Sequence, residues 1–214
     1  FTIYEPKERQ IFRLPYFPDR ITHHVIMNVL EPIWVSVFTN DTYSCIKNRG
    51  IHAAAKRVKY DLKTDPEGTI YCLKIDVRKF YPSIDHDILK QVIRRKIKDK
   101  RLLWLLDEII DSADGVPIGN YLSQYFANLY LAYFDHWIKE VKQVRYFYRY
   151  ADDIVILSSS KESLHALLRE MRVYLRDNLK LKIKHNFQVF PVDSRGIDFL
   201  GYRFFHTHTL LRKS

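Results

Sequence analysis

The spacing of apolar residues along the chain predicts most of its helices. Between residues 21 and 38 apolar side chains recur every three or four positions, as they do on one face of a helix, and Pro32 predicts a kink or a break there. Asp85 is a residue type that caps a helix start, and it precedes another such pattern. The predicted helices cover residues 21–38, 52–61, 85–98, 101–112, 120–141 and 161–179.

Short runs rich in β-branched and aromatic residues predict the strands. These runs cover residues 69–77, 144–150, 154–158, 181–191 and 196–205, and a turn sequence at residues 65–68 precedes the first of them. A short connection separates the second run from the third, so the two are expected to form a hairpin. The order of elements predicts an α+β fold of the split βαβ, ferredoxin-like kind, in which an antiparallel sheet packs on helices.

Composition narrows the class of partner. The 214 residues are 47% hydrophobic and 28% charged, which is typical of a soluble globular protein. The formal net charge of +10 favours a polyanionic partner over a generic basic surface. Cys45 and Cys72 suggest neither a disulfide framework nor a zinc site, which predicts a reducing, cytoplasmic location. No apolar run approaches the roughly 20 residues that span a bilayer, so no membrane partner is expected.

Three aspartates form the candidate catalytic centre. Asp76 ends the first predicted strand, whereas Asp152 and Asp153 lie on the turn of the predicted hairpin. If the hairpin pairs beside the first strand, the three carboxylates converge at one edge of the sheet and repel each other unless cations neutralise them. Two Mg²⁺ ions roughly 3.5–4 Å apart would suit an in-line phosphoryl displacement. The alternative is that the Asp-Asp pair only serves the turn, but burying its charges between two apolar strands would be costly.

Several motifs in register resemble those of reverse transcriptases. Residues 150–153, Tyr-Ala-Asp-Asp, resemble the Tyr-x-Asp-Asp signature, and residues 73–77 followed by 80–84 resemble the first catalytic motif. Phe199-Leu200-Gly201 resembles the primer grip. The resemblance runs from about residue 19 to 205 and implies an RNA-directed DNA polymerase that uses an RNA template, a DNA or RNA primer and deoxynucleoside triphosphates.

The resemblance also implies a role for individual residues near the catalytic centre. Asp76, Asp152 and Asp153 would be catalytic and would bind two Mg²⁺ ions, or Mn²⁺ as a substitute. Val77 would add its backbone carbonyl as a metal ligand. Lys184 lies in the region that resembles the family's lysine near the leaving pyrophosphate, where Lys180 and Lys182 are alternatives.

Two further segments are expected to contact the incoming nucleotide. In the family an aromatic residue at the position of Tyr81 packs under the sugar and excludes a 2′-hydroxyl. Alternation along an extended segment would point Phe80 and Tyr81 to opposite sides, and the alternative is that Tyr81 is a core residue. Lys47 and Arg49, in a predicted loop or hairpin over residues 40–51, would neutralise the triphosphate, or would simply form a solvated basic loop.

The motif before the long predicted helix resembles one subgroup of the family. Group II intron enzymes typically carry Pro-Gln-Gly and then Ser-Pro, whereas this chain has Pro117-Ile118-Gly119 and then Ser123-Gln124. This variant resembles the reverse transcriptases of diversity-generating retroelements, which copy a template-repeat RNA with errors opposite adenine. It implies a bacterial or phage-encoded enzyme with a small basic accessory protein, in which Pro117, Ile118, Gly119 and Gln124 line the nucleotide site.

The resemblance divides the chain into parts. Residues 1–68 would be fingers, 69–84 the palm strand with the first aspartate, 85–118 fingers and palm helices, and 119–205 the palm. Residues 206–214 would begin a thumb that lies beyond this chain. The alternatives are a group II intron or retron type polymerase, and a reverse-transcriptase-like domain that binds RNA without catalysis. The presence of all three aspartates favours activity.

Overall fold

The computed structural model describes residues 2–4, 9–10, 15–117 and 121–212. Its helices are α1 Ile21–Val35, α2 Ile51–Thr64, α3 His86–Arg94, α4 Lys100–Asp111, α5 Tyr121–His136, α6 Lys161–Leu179 and α7 Val192–Arg195. Its strands are β1 Thr2–Ile3, β2 Arg9–Gln10, β3 Tyr71–Asp76, β4 Tyr146–Tyr150, β5 Asp153–Ser158, β6 Gln188–Pro191, β7 Ile197–Phe199, β8 Tyr202–Phe204 and β9 Thr209–Leu211. Among the residues described, no helix is both long and apolar enough to cross a membrane.

Two compact units divide the chain. The first is drawn from residues 1–38 and 79–133, and the second from residues 39–78 and 134–214. In the first unit α1 buries Trp34 against the rings of Tyr125 and Phe126 on α5. Aspartates cap the starts of α3 and α4 in this unit. Asp85 caps α3 by accepting a hydrogen bond from the Ile88 amide. Asp99 caps α4 in the same way.

Helix α1 differs from its prediction at Pro32. The helix continues through this residue and ends at Val35, and the Ser36 amide donates to the Pro32 carbonyl. Proline has no N–H to donate to the carbonyl four residues before it, but the helix is not interrupted there, so the predicted break was wrong. The apolar stripe is also only half buried, since Val25 and Val29 are exposed.

The second unit contains the predicted antiparallel sheet. Its strand order is β4-β5-β3-β6, which is the order of a ferredoxin-like sheet, so the predicted fold class is confirmed. The central pair β3 and β5 aligns Tyr71 with Ser158 at one end and Asp76 with Asp153 at the other. The sheet therefore brings the end of β3 to the start of β5.

A core covers the face of the sheet that also carries the aspartates. Successive residues of a strand alternate between faces, so Cys72 lies on the same face as Asp76. Buried residues of α2 and of the β7–β8 hairpin pack there; the core cluster includes Ala54, Val58, Leu62, Cys72, Tyr148, Val155, Phe199 and Phe204. Helix α6 begins at Lys161, as predicted, with Ser160 as its cap, and it packs against β3, β5 and β6.

The last two predicted strands are shorter than expected. Of residues 181–191 only Gln188–Pro191 forms a strand, because the preceding segment bonds to the chain just beyond β3, where the Arg78 amide donates to the Lys182 carbonyl. Residues 196–205 form the β7–β8 hairpin instead of one strand. Leu200 and Gly201 turn the chain there with φ values of 56° and 83°. This hairpin belongs to a separate three-stranded sheet, β7-β8-β9.

Candidate active site

Backbone pairing brings the three aspartates together in the second unit. Asp76 is the last residue of β3 and lies opposite Asp153, the first residue of β5. Just beyond, the Val77 amide donates to the Asp152 carbonyl over 3.3 Å. The turn is tight because Ala151 adopts a left-handed conformation with φ 52°. The expected juxtaposition at one end of the sheet is therefore present.

Burial and mutual repulsion disfavour negative charge on this turn. Burial raises the pKa of Asp152 to about 6, with a further contribution from the Asp76 carboxylate beside it. Burial likewise raises the pKa of Asp153 to about 6, although the Lys74 ammonium partly opposes the increase. The site therefore favours a bound cation or bound protons over free carboxylates.

Two lysines partly neutralise the carboxylates of Asp76 and Asp153. The Lys184 ammonium lies 2.5 Å from Asp76 Oδ1, and the Lys184 amide donates to the Asp76 carbonyl over 2.8 Å. Lys74 Nζ lies 3.5 Å from Asp153 Oδ2 and also donates to the Asp198 carbonyl. Lys184, a predicted catalytic residue, is thus fixed against Asp76 on both its backbone and its side chain.

The donor set fits a hard divalent cation. Asp76 Oδ1 and Asp153 Oδ1 are buried and lack a hydrogen bond, so the contact of Lys184 with Asp76 is an ion pair without hydrogen-bond geometry. Carboxylate oxygens of this kind are the ligands that Mg²⁺ prefers. Across the described residues, however, no three acidic, histidine or cysteine side chains surround one point closely enough to hold a metal. In the present arrangement Lys184 and Lys74 contact two of the carboxylates, and cation binding by all three aspartates stays a prediction.

A buried ion pair anchors the turn that carries Asp152 and Asp153, and the sequence analysis did not identify it. Arg149 on β4 makes a bidentate contact with Asp135 at the end of α5, and both side chains have no exposure to solvent. Thr42 donates to the same carboxylate over 2.8 Å. Arg149 Nη1 also donates to the Ala151 carbonyl over 3.0 Å, directly before Asp152. The signal that could have identified this pair is a single charged residue, Arg149, within an apolar strand, and another, Asp135, within an apolar helix.

The predicted primer grip is tied to β3. Phe199 is fully buried, and Leu200 and Gly201 form the β7–β8 turn. The hydrogen bond from Lys74 reaches the carbonyl of Asp198, the residue before Phe199. Lys74 therefore connects this hairpin to the strand that ends in Asp76.

The predicted triphosphate-binding residues lie in an irregular loop of the second unit. Lys47 is exposed, whereas Arg49 is half-buried and donates to the Thr39 carbonyl over 3.0 Å. No hairpin forms in this part of the chain, where Cys45 and Asn48 adopt positive φ values. Arg49 thus also holds the loop, and its contact with a nucleotide stays a prediction.

The predicted sugar-contacting residues belong to the first unit. Phe80 is buried, Tyr81 is half-buried, and their rings meet edge to face with centroids 5.5 Å apart. The expected alternation was wrong because Tyr81 starts a 3₁₀ turn and Phe80 is already helical, so the segment is not extended. The Val116 amide donates to the Tyr81 carbonyl over 3.0 Å, and a Cβ on Gly115 would meet that carbonyl at 2.5 Å.

The remaining predicted nucleotide-site residues flank a gap in the described residues. Pro117 and Gln124 are half-buried, and Gln124 lies on α5. Ile118 and Gly119 lie outside the described residues. Their predicted contacts with a nucleotide stay predictions.

Comparisons with known proteins agree with the geometry. The family model described as reverse transcriptase (RNA-dependent DNA polymerase) matches residues 5–204. Protein YkfC of Escherichia coli K12 is 27% identical, and the match covers 94% of this chain and 65% of that protein. The group II intron-encoded protein LtrA of Lactococcus lactis subsp. cremoris is 20% identical, with 92% of this chain and 44% of LtrA covered. The chain thus spans about two thirds or less of these relatives.

Solved structures show the same fold at lower sequence identity. Telomerase from Candida tropicalis, in complex with a fragment of telomeric RNA, superposes with a TM-score of 0.68 at 14% identity. The match covers 87% of this chain and 36% of the telomerase chain. Apo telomerase from the same organism gives a TM-score of 0.59 over 88% of this chain.

Proposed function

Because this chain belongs to the reverse transcriptase family, we propose that it carries the polymerase centre of an RNA-directed DNA polymerase. Such an enzyme extends a DNA or RNA primer with deoxynucleotides on an RNA template. The observation that supports the proposal is the meeting of Asp76, Asp152 and Asp153 at the end of β3 and β5, with a lysine against Asp76. An RNA-binding domain without catalysis would have no use for buried carboxylates whose charge is so poorly compensated.

The chain's own residues would perform three tasks. Asp76, Asp152, Asp153 and the Val77 carbonyl would hold divalent cations, Mg²⁺ or Mn²⁺. When bound, these cations neutralise the carboxylates and stabilise the charge that develops in an in-line phosphoryl displacement. Lys184, held next to Asp76, would donate a proton or a hydrogen bond to the departing pyrophosphate. The β7–β8 turn, attached to β3 through Lys74, would orient the primer end.

Primer extension tests this proposal. The chain should add deoxynucleotides to a primer annealed to RNA when Mg²⁺ is present, and chelator should abolish the addition. Asp76→Asn is the matched variant, because it removes one ligand charge at nearly constant size. Folded chain that binds the template–primer but adds no nucleotide with either Mg²⁺ or Mn²⁺ would refute the proposal.

We further propose that copying is error-prone, as in diversity-generating retroelements. The support is the motif Pro117-Ile118-Gly119, in which an apolar residue stands where related enzymes often carry glutamine. An apolar side chain offers no hydrogen bond to fix the sugar or the template, so correct and incorrect pairs would be discriminated less well. A small basic accessory protein would then be a partner.

Fidelity distinguishes this subgroup from the second candidate, a group II intron type enzyme, which the similarity to LtrA favours. Ile118→Gln should lower misincorporation opposite template adenine if the first candidate is right. The matched control is Ile118→Leu, which keeps an apolar side chain and should retain the parent's errors. Faithful copying of adenine by the parent chain would favour the group II intron type.

A further inference from the structure

Helix α2 carries a row of lysines on its outer side. Lys56, Lys59 and Lys63 are all exposed and follow each other at spacings of three and four residues, so they project from one face over about 10 Å. We call these three residues the α2 lysine row. Tyr60 lies beside the row and is 61% exposed, which is high for a large aromatic side chain.

The opposite face of α2 is firmly held. Ala54, Val58 and Leu62 have no solvent exposure and belong to the core that covers the sheet. The buried Asp61 carboxylate accepts hydrogen bonds from Arg57 over 2.6 Å and from Tyr148 over 2.7 Å. The lysine row is therefore displayed on a rigid support and not on a mobile loop.

The charges of the row are not compensated within the part of the chain that the structure describes. None of its lysines forms an ion pair there, although Lys74, Lys90, Lys139, Lys142 and Lys184 do. Like charges three and four residues apart destabilise a helix, so the row is unfavourable for α2 itself. Lys63 gains some stabilisation from the helix C-terminus, but Lys56 and Lys59 are too far from it to do so.

We propose that the α2 lysine row and Tyr60 bind a single-stranded segment of RNA. Consecutive lysines would contact successive phosphates, and the exposed ring of Tyr60 would stack on a base. This combination fits single-stranded nucleic acid better than an acidic protein or a membrane, neither of which offers bases to stack. The inference rests on the proposed function, since an RNA-copying enzyme must also handle template beyond the copied position.

Binding of a short, unstructured RNA oligonucleotide at rising salt concentration tests the proposal. The triple variant Lys56→Gln, Lys59→Gln, Lys63→Gln should reduce the magnitude of the slope of log K against log salt by about 2. Each contact with a phosphate of a single strand contributes about 0.7 to that slope, and the variant removes three contacts. Glutamine keeps the helix propensity of lysine, so α2 should remain folded. The matched control is Lys96→Gln, Lys98→Gln, Lys100→Gln, which removes the same charge from three other exposed lysines.

Tyr60 provides the second readout. Tyr60→Ala should weaken RNA binding about fivefold or more, whereas Tyr60→Phe, which keeps the stacking surface, should bind like the parent. Binding is measured in chelator, so it does not depend on nucleotide addition. A parent chain that fails to extend primers would overturn the proposed function. The salt dependence of RNA binding would still show whether the α2 lysine row contacts RNA.

Three outcomes would overturn the RNA proposal. The two triple variants could reduce the slope of log K against log salt equally, which would mean that RNA binding depends only on the net charge of the chain. Tyr60→Ala could bind RNA like the parent, which would exclude stacking. Finally, a poly-aspartate peptide or phosphatidylserine vesicles could bind with the same dependence on the row as RNA, which would make the row a general anion surface.

Discussion

At the scale of single residues, the carboxylates at the end of β3 and β5 are kept in an unfavourable state. Burial and neighbouring carboxylates raise the pKa values of Asp152 and Asp153, and Lys184 and Lys74 partly oppose the increase. Functional sites often store such electrostatic strain because it is released when the ligand binds.

Asp152→Asn should abolish nucleotide addition and stabilise the metal-free chain. Asparagine removes a ligand charge that a cation needs and also removes the repulsion with Asp76. In chelator at about pH 8 the free energy of unfolding should rise by about 1–2 kcal/mol. Denaturant unfolding and primer extension measure the two effects. Asp177→Asn, at an exposed position where the aspartate pKa is lowered, is the control and should not stabilise the chain.

Lys74→Met should damage both the site and the β7–β8 hairpin. The variant removes the cation beside Asp153 and the hydrogen bond to the Asp198 carbonyl, so the free energy of unfolding should fall by about 1–3 kcal/mol near neutral pH. Lys74→Arg keeps the charge and a donor and should retain most of the stability. Equal stability of the Met variant and the parent would show that neither contact matters.

Tyr81→Ala should admit ribonucleotides if Tyr81 contacts the sugar. Removing the ring opens space for a 2′-hydroxyl, so the preference for deoxynucleotides should fall by about tenfold or more. The measurement is the ratio of the two incorporation efficiencies. Tyr81→Phe retains the ring and should keep the parental ratio; a parental ratio in the Ala variant would leave Tyr81 as a packing residue against Phe80.

At the scale of elements, the turn that carries Asp152 and Asp153 depends on partners outside the hairpin. The hairpin supplies two strands and a strained Ala151, but Arg149 fixes the turn by linking the Ala151 carbonyl to Asp135 on α5. A buried charge pair of this kind contributes little net stability, yet removing one partner is costly because the other charge stays buried.

Arg149→Met should therefore cost about 3–5 kcal/mol of unfolding free energy, since Asp135 is left uncompensated. The double variant Arg149→Met, Asp135→Leu should regain most of this stability but not nucleotide addition, because the Ala151 carbonyl still lacks its donor. Unfolding and primer extension on both variants measure the difference. Full activity of the stable double variant would show that the turn needs no anchor.

At the scale of the whole molecule, the raised pKa values predict an unusual dependence of stability on pH. In chelator the folded chain keeps protons on Asp152 and Asp153 up to about pH 6, whereas an unfolded aspartate releases its proton near 3.8. The folded state thus binds more protons in this window, and the contribution of both residues to stability falls as the pH rises from about 4 to about 6.

Divalent cations should reverse this trend. Mg²⁺ binds the ionised carboxylates of the folded state, so it should raise the unfolding midpoint more at about pH 8 than at about pH 5. Thermal unfolding with Mg²⁺ and with chelator at both pH values measures this. The variant Asp152→Asn should show a much smaller effect of Mg²⁺, and an equal effect at both pH values would contradict cation binding by these carboxylates.

Local signals in the sequence determined most elements and the position of the site. Helices α3, α4 and α6 begin close to their predicted starts, and Asp85, Asp99 and Ser160 cap them through bonds to an amide three residues on, a contact that needs only local sequence. The alternation of strands with helices was sufficient for the ferredoxin-like strand order. Placement of Asp76 at a strand end and Asp152-Asp153 on a turn followed from the same periodicity.

Only the tertiary structure decided how the site is held. The contacts of Lys74 with Asp153 and Asp198 and of Lys184 with Asp76 join segments that are far apart in the chain. The contact of Arg149 with Asp135 joins a strand to a helix 14 residues earlier. Likewise, residues 182–184 are not part of β6 but bond to the end of β3 and the residues that follow it, since the Lys184 amide donates to the Asp76 carbonyl and the Arg78 amide donates to the Lys182 carbonyl. Local propensity and periodicity report on neighbours within a few residues, whereas the pairing of buried charges depends on which distant side chains the packed core brings together.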